Sequence, residues 1–252
     1  MATLGSFSDT AERVVAVRPR GVPRAVCALL WSGLLLLAVG ELTSVSAQTM
    51  VDQRVWWNVT AQERGATESP WRWYVELQGR MRDGVDALDQ LLARPAIGYD
   101  LNARSSVWLG YGYTPAFPSA GGVVTENRAW QQYLWNGPAA GGTLASRSRL
   151  EERSIEGNEA LAWRFRQQVR VTRAVSSGGR ATAIVWDEVF VHLNATRRTG
   201  RGFDQNRAFG GIGLGLDSHA RIEIGYMNQF INGHGGPDRM HHILSGVLTL
   251  TF

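Results

Sequence analysis

Apolar and polar residues alternate singly along most of this chain from about residue 51 onward, and helical spacing of apolar positions is nearly absent. The segment 71–82 is the clearest case. Trp71, Trp73, Val75 and Leu77 make one face; Arg72, Tyr74, Glu76, Gln78 and Arg80 make the other. In 163–172, Trp163, Phe165, Val169 and Val171 oppose Arg164, Arg166, Gln168 and Arg170. In 220–230, Ile222, Ile224, Tyr226 and Phe230 oppose Arg221, Glu223 and Gln229. A period of two places alternate side chains on opposite faces of a strand. The pattern predicts further strands over 51–60, 92–101, 104–113, 127–136, 144–153, 182–194, 206–216 and 241–252. Gln167 and Asp187 interrupt their apolar faces, which predicts a bulge or a strand end at each.

Turn chemistry separates these segments: Asp100-Leu101-Asn102, Ser176-Ser177-Gly178-Gly179, Asp217-Ser218 and the glycine-rich stretch 232–237. Many strands at a spacing of roughly ten residues are the signature of a transmembrane barrel. The expected fold is all-β: a closed antiparallel transmembrane β-barrel of ten to twelve strands. Eleven segments are visible, but single-chain bacterial barrels have even strand numbers, so ten or twelve is the expectation. Short turns near 102–103 and 217–218 would then share one end, and the longer 114–126, 195–205 and 231–240 loops the other. Nine tryptophans follow residue 47. Trp56, Trp57, Trp71, Trp73, Trp130, Trp135 and Trp163 fall near expected strand ends, where interfacial aromatic girdles would lie. A soluble β-sandwich with a polar outer surface remains the competing architecture, since alternation is common to both.

The two ends of the sequence add a destination. The last strand puts Leu244, Leu248, Leu250 and Phe252 on one face and Ser245, Thr249 and Thr251 on the other, with Val247 breaking the pattern. A terminal strand closing on Phe resembles the signal read when outer-membrane barrels are inserted. Leu248, Leu250 and Phe252 are therefore the expected contact with the barrel assembly machinery. At the other end, Arg18, Arg20 and Arg24 precede an apolar run over 25–40 and a Val45-Ser46-Ala47 cleavage pattern. That is the layout of a secretory signal peptide. The run is shorter than the roughly 20 residues a membrane-spanning helix needs. Residues 1–47 are expected to be removed, leaving a single barrel domain over 48–252, exported to the outer membrane of a Gram-negative bacterium.

Composition narrows the partners. Every one of the 26 basic residues is arginine. The segment 48–252 carries 22 of them with 19 acids interleaved, a net charge of +3, too balanced for nucleic acid. The only cysteine, Cys27, lies in the segment expected to be removed, so no disulfide is expected in the mature chain.

The segments WRFRQQVRV (163–171), DEVFVHLN (187–194), FDQNRAFGGIGL (203–214) and IEIGYMNQFI (222–231) resemble the bacterial family known as domain of unknown function 2490. The resemblance runs through nearly all of 50–252 in the same order. It implies an outer-membrane barrel, and it supplies no catalytic residue.

Candidate chemistry lies on the polar faces. A charged residue on the lipid face at mid-bilayer costs about 2–4 kcal/mol. Arg72, Glu76 and Arg80 are therefore assigned to the lumen, as are Arg147, Arg149, Glu151, Arg164, Arg166, Arg170, Arg221 and Glu223. Such rows could form an anion-preferring pore or a site for an acidic head group. Alternatively they pair with one another and close the tube, as a narrow barrel's interior is just filled by side chains. Gly211, Gly213 and Gly215, and Gly110 with Gly112, alternate at strand period and are read as room for long lumen side chains. A lipid-modifying hydrolase is the enzymatic alternative. No His-x-Ser occurs, and Glu188, His192 and Asn194, on one face of the 182–194 strand, are the least implausible catalytic cluster; they read first as a lumen-facing polar row, and no catalytic residue is assigned. The histidines at 234, 241 and 242 match no metal-ligand spacing, and neither metal nor cofactor is expected. Outer-membrane lipid is the expected partner, and a small-molecule ligand is left undefined.

Overall fold

The computed structural model describes residues 49–63, 69–139, 141–176 and 180–252. The expected signal peptide over 1–47 and most of the 176–179 turn lie outside the described residues.

Among the described residues, eleven strands form one closed sheet. They are β1 (Met50–Gln62), β2 (Trp71–Arg82), β3 (Ala87–Asn102), β4 (Ser105–Ala116), β5 (Val124–Ala139) and β6 (Gly142–Ile155). The sheet continues with β7 (Ala162–Ala174), β8 (Ala181–His192), β9 (Gly202–Gly215), β10 (Ala220–Ile231) and β11 (Arg239–Thr251). Each strand pairs antiparallel with its sequence neighbours, and β1 closes on β11 in parallel, from Met50 opposite Arg239 to Gln62 opposite Thr251. The expectation of an even number is thus corrected. All eleven segments visible in the sequence are strands. In an odd up-and-down barrel the first and last strands run the same way, so the closing seam must be parallel. The two-layer sandwich is excluded by closure, because every strand has a neighbour on both sides.

The connections 103–104 and 216–219 lie at one end of the barrel, the turn end. The connections 117–123, 193–201 and 232–238 lie at the other, the loop end. The loops are shorter than read from sequence, because β4, β5, β9 and β11 extend into them. The turn read at 100–102 is displaced to Ala103-Arg104: β3 runs to Asn102 with an irregularity between Asp100 and Asn102, and the Arg104 amide donates to Asn102 Oδ1 at 2.9 Å. Backbone bonds fix both ends of the seam. The Met50 amide donates to the Asp238 carbonyl at 2.9 Å, and the Phe252 amide to the Gln62 carbonyl at 3.1 Å.

The polarity of the wall is inverted relative to a water-soluble protein. Trp71, Leu77, Ile97, Leu109, Ile212 and Leu244 are exposed on the outside, whereas Arg149, Glu151, Arg166 and Glu188 are at most 4% exposed inside. The inside is not uniformly charged. Trp56, Ile184, Phe209, Met227 and Ile243 pack together on the inner face of β1 and β8–β11, with Trp186 against them. The buried charged residues are densest on β6, with others on β2, β3, β5, β7, β8 and β9.

Gln167 and Asp187 mark neither bulges nor strand ends. The register shifts fall at Arg80/Met81, Asp100/Asn102 and Phe190/Val191 instead. Both residues sit in regular ladder on the outer face, and polar neighbours match them. Gln167 accepts from Ser148 Oγ at 2.6 Å and donates to Ser146 Oγ at 2.9 Å; Asn206 Nδ2 donates to both carboxylate oxygens of Asp187 at 3.0 Å.

Candidate functional site

The lumen is a ladder of arginine–carboxylate contacts running across strands. Glu151 on β6 is its hub. It accepts from Arg164 Nη2 and from Arg166 Nη1, each at 2.6 Å, and Arg149 approaches to 4.0 Å. Glu188 on β8 accepts from Arg147 at 2.8 Å and from Arg166 Nε at 3.0 Å. Nearer the loop end, Glu126 binds Arg128 at 2.6 Å and Arg153 at 2.5 Å. Toward the turn end, Glu223 holds Arg170 at 2.6 Å and Arg221 at 3.3 Å, and Arg72 meets Asp100 at 2.6 Å. Glu76 pairs with Arg94 and accepts from Asn58 at 2.5 Å. Charge-assisted bonds of this kind are the strong ones, and several are bidentate.

Two cavities flank the middle of this ladder. The loop-end cavity has a volume of about 630 Å³ and the turn-end cavity about 580 Å³. Trp56, Arg80, Arg94, Arg166 and Arg207 line both, so they form the layer between them. In that layer the guanidiniums lie on aromatic faces. Arg80 Cζ is 3.9 Å and Arg207 Cζ 5.0 Å from the Trp56 ring centre; Arg166 and Arg207 lie 4.4 and 4.6 Å from that of Phe190. Planar guanidiniums stack well in this way, and each such contact contributes about 0.5–2 kcal/mol. Small residues make the room. A Cβ on Gly110 would collide with the Trp130 ring, and one on Gly213 with the Arg221 guanidinium.

Every row assigned to the lumen from sequence faces inward. Arg72, Arg80, Arg149, Glu151, Arg164 and Arg166 are buried, and Arg147, Arg170 and Arg221 are partly open to the turn-end cavity. Sequence reasoning missed Arg94, Glu126, Arg128, Arg153, Asp204 and Arg207, which complete the loop-end wall. The signal was present in Glu126-x-Arg128-x-Trp130-x-Gln132, a single inward face that mixes charge with an aromatic. Trp56 and Trp130, read as girdle residues, are corrected: they are 3% and 1% exposed inside the barrel. Inner faces with arginine need aromatic surfaces for it to lie on, so tryptophan does not mark the outside here.

Glu188, His192 and Asn194 do not form a catalytic cluster. β8 ends at His192, so Asn194 lies beyond the strand, where it accepts from the Trp163 amide and donates to the Leu161 carbonyl. Glu188 is engaged by two arginines, and His192 Nε2 lies 3.3 Å from Asp204. No described serine is hydrogen-bonded to His192 or His241; Ser218 meets His219 Nδ1 at 2.9 Å on an exposed turn. His241 faces the lumen, with Nδ1 3.1 Å from Gln229, while the adjacent His242 meets the Tyr226 hydroxyl at 2.5 Å on the outside. Among the described residues no three potential ligands converge on a metal position.

Residues 53–241 match the model of the family described as Protein of unknown function (DUF2490). The chain belongs to this family. A relative from Methylorubrum extorquens, itself called an uncharacterized protein, is 32% identical over 220 residues, covering 86% of this chain and 94% of its own length. No solved structure matches the chain. The DUF2490 match spans ten of the strands whole or nearly whole and the start of β11, so it takes in both the arginine ladder and the layer between the cavities.

Proposed function

We propose that this DUF2490 protein is an outer-membrane barrel that binds a ligand in a constricted, arginine-rich lumen and is not an open channel. The inverted wall carries the reading: apolar side chains outward, ion pairs inward, on a sheet with no free edge. A bilayer offers exposed backbone no hydrogen-bond partners, which restricts spanning β-structure to closed barrels. Each strand has at least twelve residues, beyond the roughly 9–11 that a tilted strand needs to cross. The export signal expected over 1–47 and the terminal Leu248, Leu250 and Phe252 support the same destination. Phe252 is exposed and stacks on Trp73 at 6.4 Å between ring centres, part of an outward aromatic group with Trp71 and Tyr99 at the turn end.

Constriction is supported by the central layer, where stacked arginines and aromatics line both cavities. The test is gel mobility of the chain from washed outer membranes, boiled and unboiled, followed by conductance in planar bilayers. A heat-dependent shift with no stepwise conductance is expected. Steps that fall when Arg166 and Arg170 are changed to Glu would replace binding with an anion-preferring pore. Recovery in the soluble periplasmic fraction without a shift would overturn the membrane assignment.

A further inference from the structure

We propose that the loop-end cavity binds a phosphate-type dianion between Arg207 and Arg80. Arg207 is 9% exposed and has no hydrogen-bonded or ion-paired partner among the described residues; its buried Nε has no acceptor. Only the Trp56 and Phe190 rings hold it. Arg80, on the same indole, directs its donors to the neutral amide oxygens of Gln78 and Gln90, at 2.8–3.1 Å. Its charge is therefore solvated but not neutralised. Arg94, Arg128, Arg153, Arg164 and Arg166, which share the cavity wall, each have a carboxylate partner. In the layer between the cavities Arg94 and Arg166 touch carboxylates, whereas Arg207 and Arg80 touch none.

A buried charge without a counter-charge is costly, and an anion that supplies one is bound in proportion to that cost. Two guanidiniums without a carboxylate contact match a dianion. Stacking on aromatic faces leaves the fork of Arg207 free, and Arg80, whose Nε, Nη1 and Nη2 each donate once to a glutamine oxygen, keeps the second proton of each Nη for the oxygens of a phosphate. Access is from the loop end, where Arg198 and Arg239 stand exposed at the rim and add a positive field that draws anions inward. The ligand class is a phosphate monoester or phosphate itself, either free in solution or as the head group of a lipid.

This inference rests on the barrel reading, and the experiment separates the two. The full chain in detergent micelles, checked for heat-dependent mobility, is titrated calorimetrically with inorganic phosphate and with sulfate at pH 7.5 and 5. Phosphate is expected to bind at pH 7.5 and to weaken strongly at pH 5, since inorganic phosphate passes from dianion to monoanion around neutral pH; sulfate is expected to bind alike at both. Arg207→Gln and Arg80→Gln are expected to lower affinity at least tenfold, while Arg170→Gln, at the turn end, leaves it unchanged. Phosphate should also raise the melting temperature of the parent chain and not that of Arg207→Gln. Equal affinity in Arg207→Gln, or no phosphate binding by a heat-shifting barrel, overturns the site alone. Loss of the heat shift overturns the barrel and the site with it. Nanodiscs then identify the source: displacement of phosphate by phosphatidic acid in the bilayer indicates a lipid head group, and displacement only by soluble glycerol phosphate indicates a free ligand.

Discussion

At the scale of single residues, the lumen separates two kinds of ion pair by burial. Glu151 is 1% exposed and serves Arg164 and Arg166 at once. Changing it to Gln leaves two buried guanidiniums without their counter-charge, and breaking such a pair costs about 3–5 kcal/mol. Glu223 lies in the turn-end cavity beside Arg170 and Arg221, whose side chains are 29% and 31% exposed. Water and mobile ions can replace it, so Glu223→Gln is expected to cost no more than about 1 kcal/mol. Urea unfolding in micelles measures both, and equal losses would mean that the lumen is wetter than the packing indicates. The row containing Glu223 was legible in the sequence because it alternates with Ile222 and Ile224, and the row containing Glu151 because Arg147, Arg149 and Glu151 repeat at period two. Arg207 was not legible as a site residue. Beyond it on the inner face Phe209 and Gly211 carry no polarity, the register shift opposite Phe190/Val191 interrupts the pattern before Gln205, and its lack of a carboxylate partner depends on which residues face it from β1, β2 and β8, which spacing along one strand does not specify.

At the scale of elements, the strands follow from period-two alternation, and their ends follow from local turn chemistry. The β9–β10 turn shows how. Asp217 Oδ1 accepts from the His219 amide at 2.6 Å and the Ala220 amide at 2.8 Å, and these bonds hold its carboxyl below the usual carboxylate range. A lowered folded-state pKa means that the stabilisation is complete above the ordinary carboxylate pKa, about 3.9 for Asp. It is lost as pH falls through the lower, folded-state value. Hydrogen-exchange protection of the His219 and Ala220 amides, corrected for intrinsic rates, is therefore expected to fall only in acid. In Asp217→Ala it should be low at every pH; protection unchanged in that variant would assign the turn to the strand ladder instead. All eleven strands could be read this way, and the errors sit at their ends, where β4, β5, β9 and β11 continue into segments lacking clean alternation. The outer-face Gln167 and Asp187 were misread for a related reason. Their hydrogen-bonding neighbours, Ser146, Ser148 and Asn206, lie on adjacent strands, and only register brings them together.

At the scale of the whole molecule, strand parity decides how the barrel closes. Ten antiparallel steps lead from β1 to β11 and leave them pointing the same way, so the seam is the one parallel pairing in the sheet. Parallel ladders are slightly less stable per residue than antiparallel ones, yet this seam is continuous over the full length of β1 and tied at both ends. It also puts the start of β1 at the loop end and Phe252 at the turn end. Twelve strands would place both at the same end, so the seam is where an even and an odd barrel differ most. Val59 lies opposite Leu248 there, with both on the outer face. Cα atoms of a bridgeable cysteine pair lie about 4.4–6.8 Å apart, a range that directly paired strand residues satisfy. The only native cysteine is Cys27, so Val59→Cys with Leu248→Cys introduces a clean pair into 48–252. Oxidation is expected to link β1 to β11 and give a denatured chain whose gel mobility changes on reduction. Moving one cysteine to Leu244, four residues out of register, should abolish the link. A crosslink from Leu244 in place of Leu248 would show a shifted seam. No crosslink from either would mean that β11 closes on something other than β1, and the odd-numbered barrel would have to be abandoned.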